Sequence, residues 1–216
     1  MIDLHTHTIF SDGELIPAEL IRRAAVAGYR ALAITDHADQ SNLEVLLSHL
    51  VGVVDELGQA NNLQVLAGVE LTHVPPKMID ACARKARQFG AQLIVCHGET
   101  IVEPVAPGTN RAAIEAQVDI LSHPGLISEE DVALAVENGV CLELTTRKGH
   151  SLTNGHVAQL ARKYGARLVI NNDAHAPGDL LALEMACRVA RGAGLSDDEV
   201  ARARQNSAEL VARIKG

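Results

Sequence analysis

Short apolar runs alternate with longer amphipathic segments along the whole chain, each pair separated by two or three polar residues. That alternation predicts a β/α protein, because a strand buried on both faces reads as a continuous apolar run and a covering helix as a 3.6-residue period. Seven runs predict strands: 2–7, 31–37, 64–71, 92–97, 120–123, 141–145 and 167–173. Helix ends are marked between them. Pro17 suits a first turn, Gly28, Gly90, Gly139 and Gly165 follow helix bodies, and Ser128 precedes three acidic residues. Ser196-Asp197-Asp198-Glu199 has the form of a capping box opening a C-terminal helix. Segment 99–109, with Pro104, Pro107 and Gly108, reads as an inserted loop. No linker composition interrupts the series, which predicts a single domain over 1–216.

Seven such units fit either an open doubly wound sheet or a closed barrel with fewer than the usual eight strands. The two differ in where polar side chains gather. An open sheet collects ligands at one topological switch point, whereas a barrel brings nearly all strand C-terminal ends into one ring.

Composition narrows the class. The 216 residues are 47% hydrophobic and 21% charged, an ordinary globular balance. With 19 basic against 27 acidic residues the net charge is −8 and the basic residues are scattered, which argues against a nucleic-acid partner. The longest apolar candidate, 43–57, is broken by Glu44, Ser48, His49 and Asp55, so no membrane span is expected. No leader-like stretch precedes Asp3. Cys82, Cys96, Cys141 and Cys187 form no C-x-x-C pair and read as buried thiols, so a cytoplasmic location is expected.

The strand ends carry the chemistry. They are His5-Thr6-His7, Asp36-His37, Glu70, His97, His123, Glu143 and Asp173-Ala174-His175. His-x-His on a strand places both imidazoles on one face, and Asp173 and His175 would do the same if their strand continued that far. Any one of these residues is commonly a hydrogen-bonded loop residue. Six of the ten histidines, however, follow apolar runs on five different strands. Burying them with carboxylates and no counter-charge would cost several kcal/mol per group, a cost that divalent cations remove. Nitrogen and oxygen donors without thiolate suit zinc, manganese or iron. His49 and His156 fall in predicted helices, His73 lies near Glu70 and His150 in a polar loop, and these four stand outside the candidate set.

The segments His5-Thr6-His7-Thr8-Ile9-Phe10-Ser11-Asp12-Gly13, Thr35-Asp36-His37, Gly68-Val69-Glu70, Val95-Cys96-His97-Gly98, Ser122-His123-Pro124 and Asn172-Asp173-Ala174-His175 closely resemble, in order, the motifs of the PHP (polymerase and histidinol phosphatase) superfamily. The resemblance implies a distorted, TIM-like (β/α)7 barrel with a trinuclear metal site at the strand C-terminal ends, hydrolysing phosphoesters. Position by position it implies one cation on His5, His7, Glu70 and Asp173, a second sharing Glu70 and completed by His97 and His123, and a third on Asp12, His37 and His175. Asp12 stands where some relatives have histidine nearby, and Asn172 where serine is frequent. Asp36 is expected to orient His37 or a neighbouring imidazole.

A phosphate monoester brings negative charge to an already acidic chain, so two or three clustered cations (zinc, manganese or iron) are expected to bind its oxygens and acidify a water. The expected nucleophile is a metal-bridging hydroxide beside Glu70, with Asp12 serving the third cation and no protein nucleophile. Arg147, after the sixth predicted strand, is the candidate fork for phosphate oxygens, ahead of Lys148 and Arg111. The expected substrate is a small phosphorylated metabolite, with histidinol phosphate or a nucleotide as examples. Two alternatives are an amidohydrolase-type metal hydrolase, which would commonly need a bridging lysine where Glu70 and His97 stand, and a non-catalytic, metal-stabilised PHP module.

Overall fold

The computed structural model describes residues 1–215. The chain runs β1 (Ile2–Asp3), α1 (Pro17–Val26), β2 (Ala31–Ile34), β3 (His37–Ala38), α2 (Leu43–Leu50), α3 (Val53–Ala60), β4 (Gln64–Leu71), α4 (Pro76–Gln88), β5 (Leu93–His97), α5 (Thr109–Glu115), β6 (Ile120–Ser122), α6 (Glu129–Asn138), β7 (Cys141–Thr145), α7 (Asn154–Tyr164), β8 (Leu168–Asn171), α8 (Leu183–Gly192) and α9 (Asp197–Lys215). All strand pairs are parallel, in the order β1-β2-β4-β5-β6-β7-β8, with β3 extending the β2 position along β4. These seven strand positions form a nearly closed, distorted (β/α)7 barrel, as the sequence motifs imply.

The seam between first and last strands is irregular. A single bridge pairs Thr6 with Ala174, through His7 N–H to the Ala174 carbonyl at 2.8 Å. Below it, side chains replace the ladder: Asn171 Oδ1 accepts from Leu4 N–H at 2.9 Å and Asp3 Oδ1 from Asn172 N–H at 3.1 Å. The first and last predicted strands are therefore shorter than their apolar runs, ending at Asp3 and Asn171.

Period-two alternation divides the apolar residues into two cores. Leu4, Ala33, Leu66, Leu93, Val95, Ile120, Cys141 and Val169 fill the barrel, and their neighbours Leu32, Ile34, Val65, Ile94, Leu121, Leu142 and Ile170 pack under the helices. Leu210 and Val211 of α9 join the inner set and stopper the N-terminal end of the barrel. Asn206 Nδ2 donates to the Leu168 carbonyl, and the buried Asp119 receives both Arg87 and Arg213, which fixes α9 there. The caps follow the sequence: Ser128 Oγ accepts from Asp131 N–H, Ser196 and Glu199 cap each other reciprocally, and Gly139 and Gly165 end their helices in the left-handed conformation. All four cysteines are buried and free. No described helix is long and apolar enough to cross a membrane.

Candidate metal centre

The inward positions that are apolar low in the barrel become polar at its C-terminal rim. Leu66 is followed four residues on by Glu70, Val95 two on by His97, and Cys141 two on by Glu143. Register then sets their heights: His37 lies level with Glu70, and His97 with Ser122. Nine sequence-predicted donors converge there in four overlapping groups, each with donor atoms within 4.8 Å of one another: His5, His7 and Glu70; His5, His123 and Asp173; Glu70, His97 and His123; and His7, Asp12, His37 and His175. His5 and His7 do share a face, their ring centroids 5.0 Å apart. The pair Asp173 and His175 converges by a different route. The strand has already ended, and Asp173 adopts a left-handed φ of 53°, which turns its carboxylate inward. His123, at φ 24°, is held in a similarly unusual conformation.

Buried polar groups normally find partners, yet His5 Nε2, both ring nitrogens of His7 and His123 Nδ1 make no hydrogen bond. His5 Nε2 is 3.2 Å from Glu70 Oε1 and His7 Nε2 3.2 Å from Asp173 Oδ1, while His123 faces Glu70 and Asp173 with its other nitrogen, Nε2, at 3.8 and 3.6 Å. Orphaned, inward-facing nitrogens beside carboxylate oxygens fit divalent cations. Without cations the charges balance through protons. Burial opposes charging His5, but the Glu143, Asp173 and Glu70 carboxylates outweigh it and raise its pKa well above the usual imidazole value. Burial alone dominates at His7, which falls to about 4, and at His123, which also falls. Glu70 and Asp173 are buried, and the surrounding imidazoles hold both well below the ordinary carboxylate range.

The donors are fixed from behind. Glu143, which belongs to no donor group, accepts a hydrogen bond from His5 Nδ1 at 2.9 Å. Ser122 Oγ and Thr72 Oγ1 donate to the two oxygens of Glu70 at 2.8 and 2.9 Å. His97 Nδ1 donates to the Gly98 carbonyl at 3.1 Å. Asp36 differs from expectation. It accepts from Thr8 N–H, Thr8 Oγ1 and Ser11 Oγ, so it shapes the loop carrying Asp12 rather than orienting an imidazole. Arg147 reaches the rim, its Nη1 donating to the Asp173 carbonyl at 3.2 Å and lying 2.8 Å from His175 Nδ1. Lys148 makes no ion pair among the described residues, and Arg111 pairs with Asp131 away from the cluster.

Sequence reasoning missed two neighbours, Glu103 and His150. Glu103, at the tip of the 99–109 loop, lies 3.2–3.3 Å from His97, His73 and His150, and these imidazoles hold its pKa down to about 2. His150 is buried and stacks on His123 with centroids 4.3 Å apart. Only the polar character of that loop signalled them.

A parallel barrel whose strand ends gather imidazoles and carboxylates defines the class of metal-binding β/α barrels. Residues 3–171 match the PHP domain, and the chain belongs to that family. Among its relatives, an uncharacterized protein of Methanocaldococcus jannaschii is 52% identical over 200 residues, 92% of each chain. Ribonuclease P protein component 3 of Methanosarcina barkeri is 28% identical over 213 residues, covering 91% of this chain and 82% of its own. A candidate phosphatase of Thermoanaerobacter sp. (strain X514) is 25% identical over 232 residues, 93% of this chain and 89% of its own. Among solved structures, a candidate histidinol phosphatase of Listeria monocytogenes superimposes with a TM-score of 0.61 at 14% identity, over 83% of this chain and 97% of that one.

Proposed function

We propose that the protein is a metal-dependent phosphoesterase acting on a small phosphorylated metabolite, resembling the histidinol phosphatases in its chemistry. The observation that carries this reading is the convergence of nine donors, four of their buried ring nitrogens unpartnered, at the rim where Arg147 also lies. His5, His7, Glu70 and Asp173 would hold one cation, Glu70, His97 and His123 a second, and Asp12, His37 and His175 a third. Bound zinc, manganese or iron would supply Lewis acidity and positive charge for the phosphoryl group.

The remaining tasks fall to the chain. Glu143 keeps the His5 Nε2 lone pair facing inward, and Ser122 and Thr72 fix the two Glu70 oxygens so that one carboxylate can serve two neighbours. Arg147 offers a planar cation for phosphoryl oxygens at the rim of the donor cluster. The phosphatase designation of the Thermoanaerobacter relative supports this chemistry, and four buried free thiols support a reducing, cytoplasmic setting.

The test is phosphate release from a panel of aryl phosphate, histidinol phosphate and nucleotides by purified protein supplied with manganese or zinc. Activity abolished by a chelator and restored by the cation supports the reading, and a metal-replete preparation inert across the panel overturns it. A second reading, an accessory subunit in RNA processing, is favoured by the 28% identity to ribonuclease P protein component 3. The acidic balance weighs against direct contact with the RNA backbone. Co-purification with a structured RNA together with failure on the phosphoester panel would favour it.

A further inference from the structure

His175 Nδ1 sits between two groups with incompatible demands. Arg147 Nη1 lies 2.8 Å away and the Asp173 carbonyl oxygen 3.0 Å away. A guanidinium only donates and a carbonyl oxygen only accepts, so a single ring nitrogen serves one or the other. With the ring proton on Nε2, Nδ1 accepts from Arg147 and Nε2–H faces Asp12 Oδ1 at 3.1 Å. With the proton on Nδ1, the ring donates to the Asp173 carbonyl and Nε2 presents a lone pair to the group of Asp12 and His37. Only the second form is a cation ligand.

We propose that Arg147 and His175 form a tautomeric latch, in which cation binding by Asp12, His37 and His175 moves the ring proton from Nε2 to Nδ1 and frees the Arg147 guanidinium for an anionic oxygen at the rim. One proton leaves one nitrogen and one arrives at the other, so the ring stays neutral and nothing is released overall. Arg147 loses its shortest contact in the exchange. It keeps one longer hydrogen bond, from Nη1 to the Asp173 carbonyl at 3.2 Å, while its approaches to Asp173 Oδ2 at 3.6 Å and Asp179 Oδ2 at 3.9 Å are longer than hydrogen bonds, which leaves Nε and Nη2 for the anion. The third cation group and the anion site are thereby coupled through one side chain, and the coupling is reciprocal. The proposal rests on the phosphoesterase reading only in naming that anion as a phosphoryl group.

The test is ¹⁵N NMR of the imidazole nitrogens in the full chain, with the His175 signals identified by their loss in His175→Gln. In chelator the wild type should carry the His175 proton on Nε2, and zinc should shift it to Nδ1. Arg147→Met should show Nδ1–H without zinc, the other nine rings keeping their patterns as a control for folding. A wild type already in the Nδ1–H form, or an Arg147→Met protein with an unchanged tautomer, overturns the latch. Should Arg147→Met fail to fold, the absence of any shift on adding zinc to the wild type overturns it alone. A tautomer shift in a protein inert to phosphoesters removes the hydrolase reading and keeps the latch, and hydrolysis without a shift does the reverse.

Discussion

His5 Nδ1 donates to Glu143 Oε2 across 2.9 Å, and both side chains are fully buried. The carboxylate also accepts from Asn171 Nδ2 at 2.9 Å, which fixes its orientation. The pair sets the tautomer of His5 and raises its basicity, the role carboxylates commonly play behind metal-bound histidines. Glu143→Gln keeps the shape and removes the charge. Cation affinity measured by titration calorimetry should fall about 10–100-fold, with the far-ultraviolet circular dichroism unchanged.

Removing cations should destabilise the fold as well as stop hydrolysis. A cation bound only by the folded chain adds about 2.7 kcal/mol at a free concentration one hundred times its Kd. Thermal melts should therefore move upward with added zinc or manganese and downward with chelator. In Glu70→Gln, which alters a donor shared by two groups, the response to added cation should be largely lost.

Two glycines hold the β5 and β6 loops together. A Cβ at Gly98 would stand 2.3 Å from the Ser122 carbonyl oxygen, and one at Gly125, where φ is +63°, 1.8 Å from that of Glu99. Both meet backbone, which cannot swing aside. Gly125→Ala should cost about 1–3 kcal/mol or more in urea denaturation, and it should also weaken cation binding because His97 ends β5 and His123 follows β6 where those loops begin.

Asp3 is wholly buried, and that burial raises its pKa to about 7 despite hydrogen bonds from the N–H groups of His5 and Asn172. A carboxyl with a raised folded-state pKa contributes stability that is complete below its unfolded value and is lost as pH climbs toward 7. Asp3→Asn keeps an oxygen for both N–H donors and cannot ionise. In chelator, the stability difference between Asp3→Asn and wild type should therefore grow in favour of the variant as pH rises from 4 to 7, by roughly 1 kcal/mol for each pH unit, and then level off. A flat difference in urea denaturation across that range would contradict this account.

Much of the barrel was legible because burial dictates composition. β4 and β7 occupy their apolar runs from end to end, and the polar residues that break the inward pattern, Glu70 and Glu143, mark the rim. The convergence of Asp173 and His175 was legible as a pair but not in its geometry. A left-handed residue past the strand end has no hydrophobic signature, and the seam beside it is bonded by side chains that any polar pattern would permit. Glu103 and His150 were missed for a related reason. They meet because two loops, 99–109 and the one after β7, fold toward each other, and loop paths leave no period in the sequence. Asp36 carried the right spacing for an orienting carboxylate and instead braces the turn of Thr8 and Ser11.

The helix that stoppers the barrel floor, α9, has a consequence for synthesis. Residues 172–215 lie beyond the segment matching the family, yet they supply both the floor, through Leu210 and Val211, and two donors at the rim, Asp173 and His175. A nascent chain emerging in order would hold Leu66, Leu93 and Ile120 in an open trough until residues 172–215 have followed, the condition in which exposed apolar surface invites aggregation. Completion of the centre and closure of the trough thus depend on the same segment, so products terminated before it should be cleared as misfolded rather than persist with a partly formed centre.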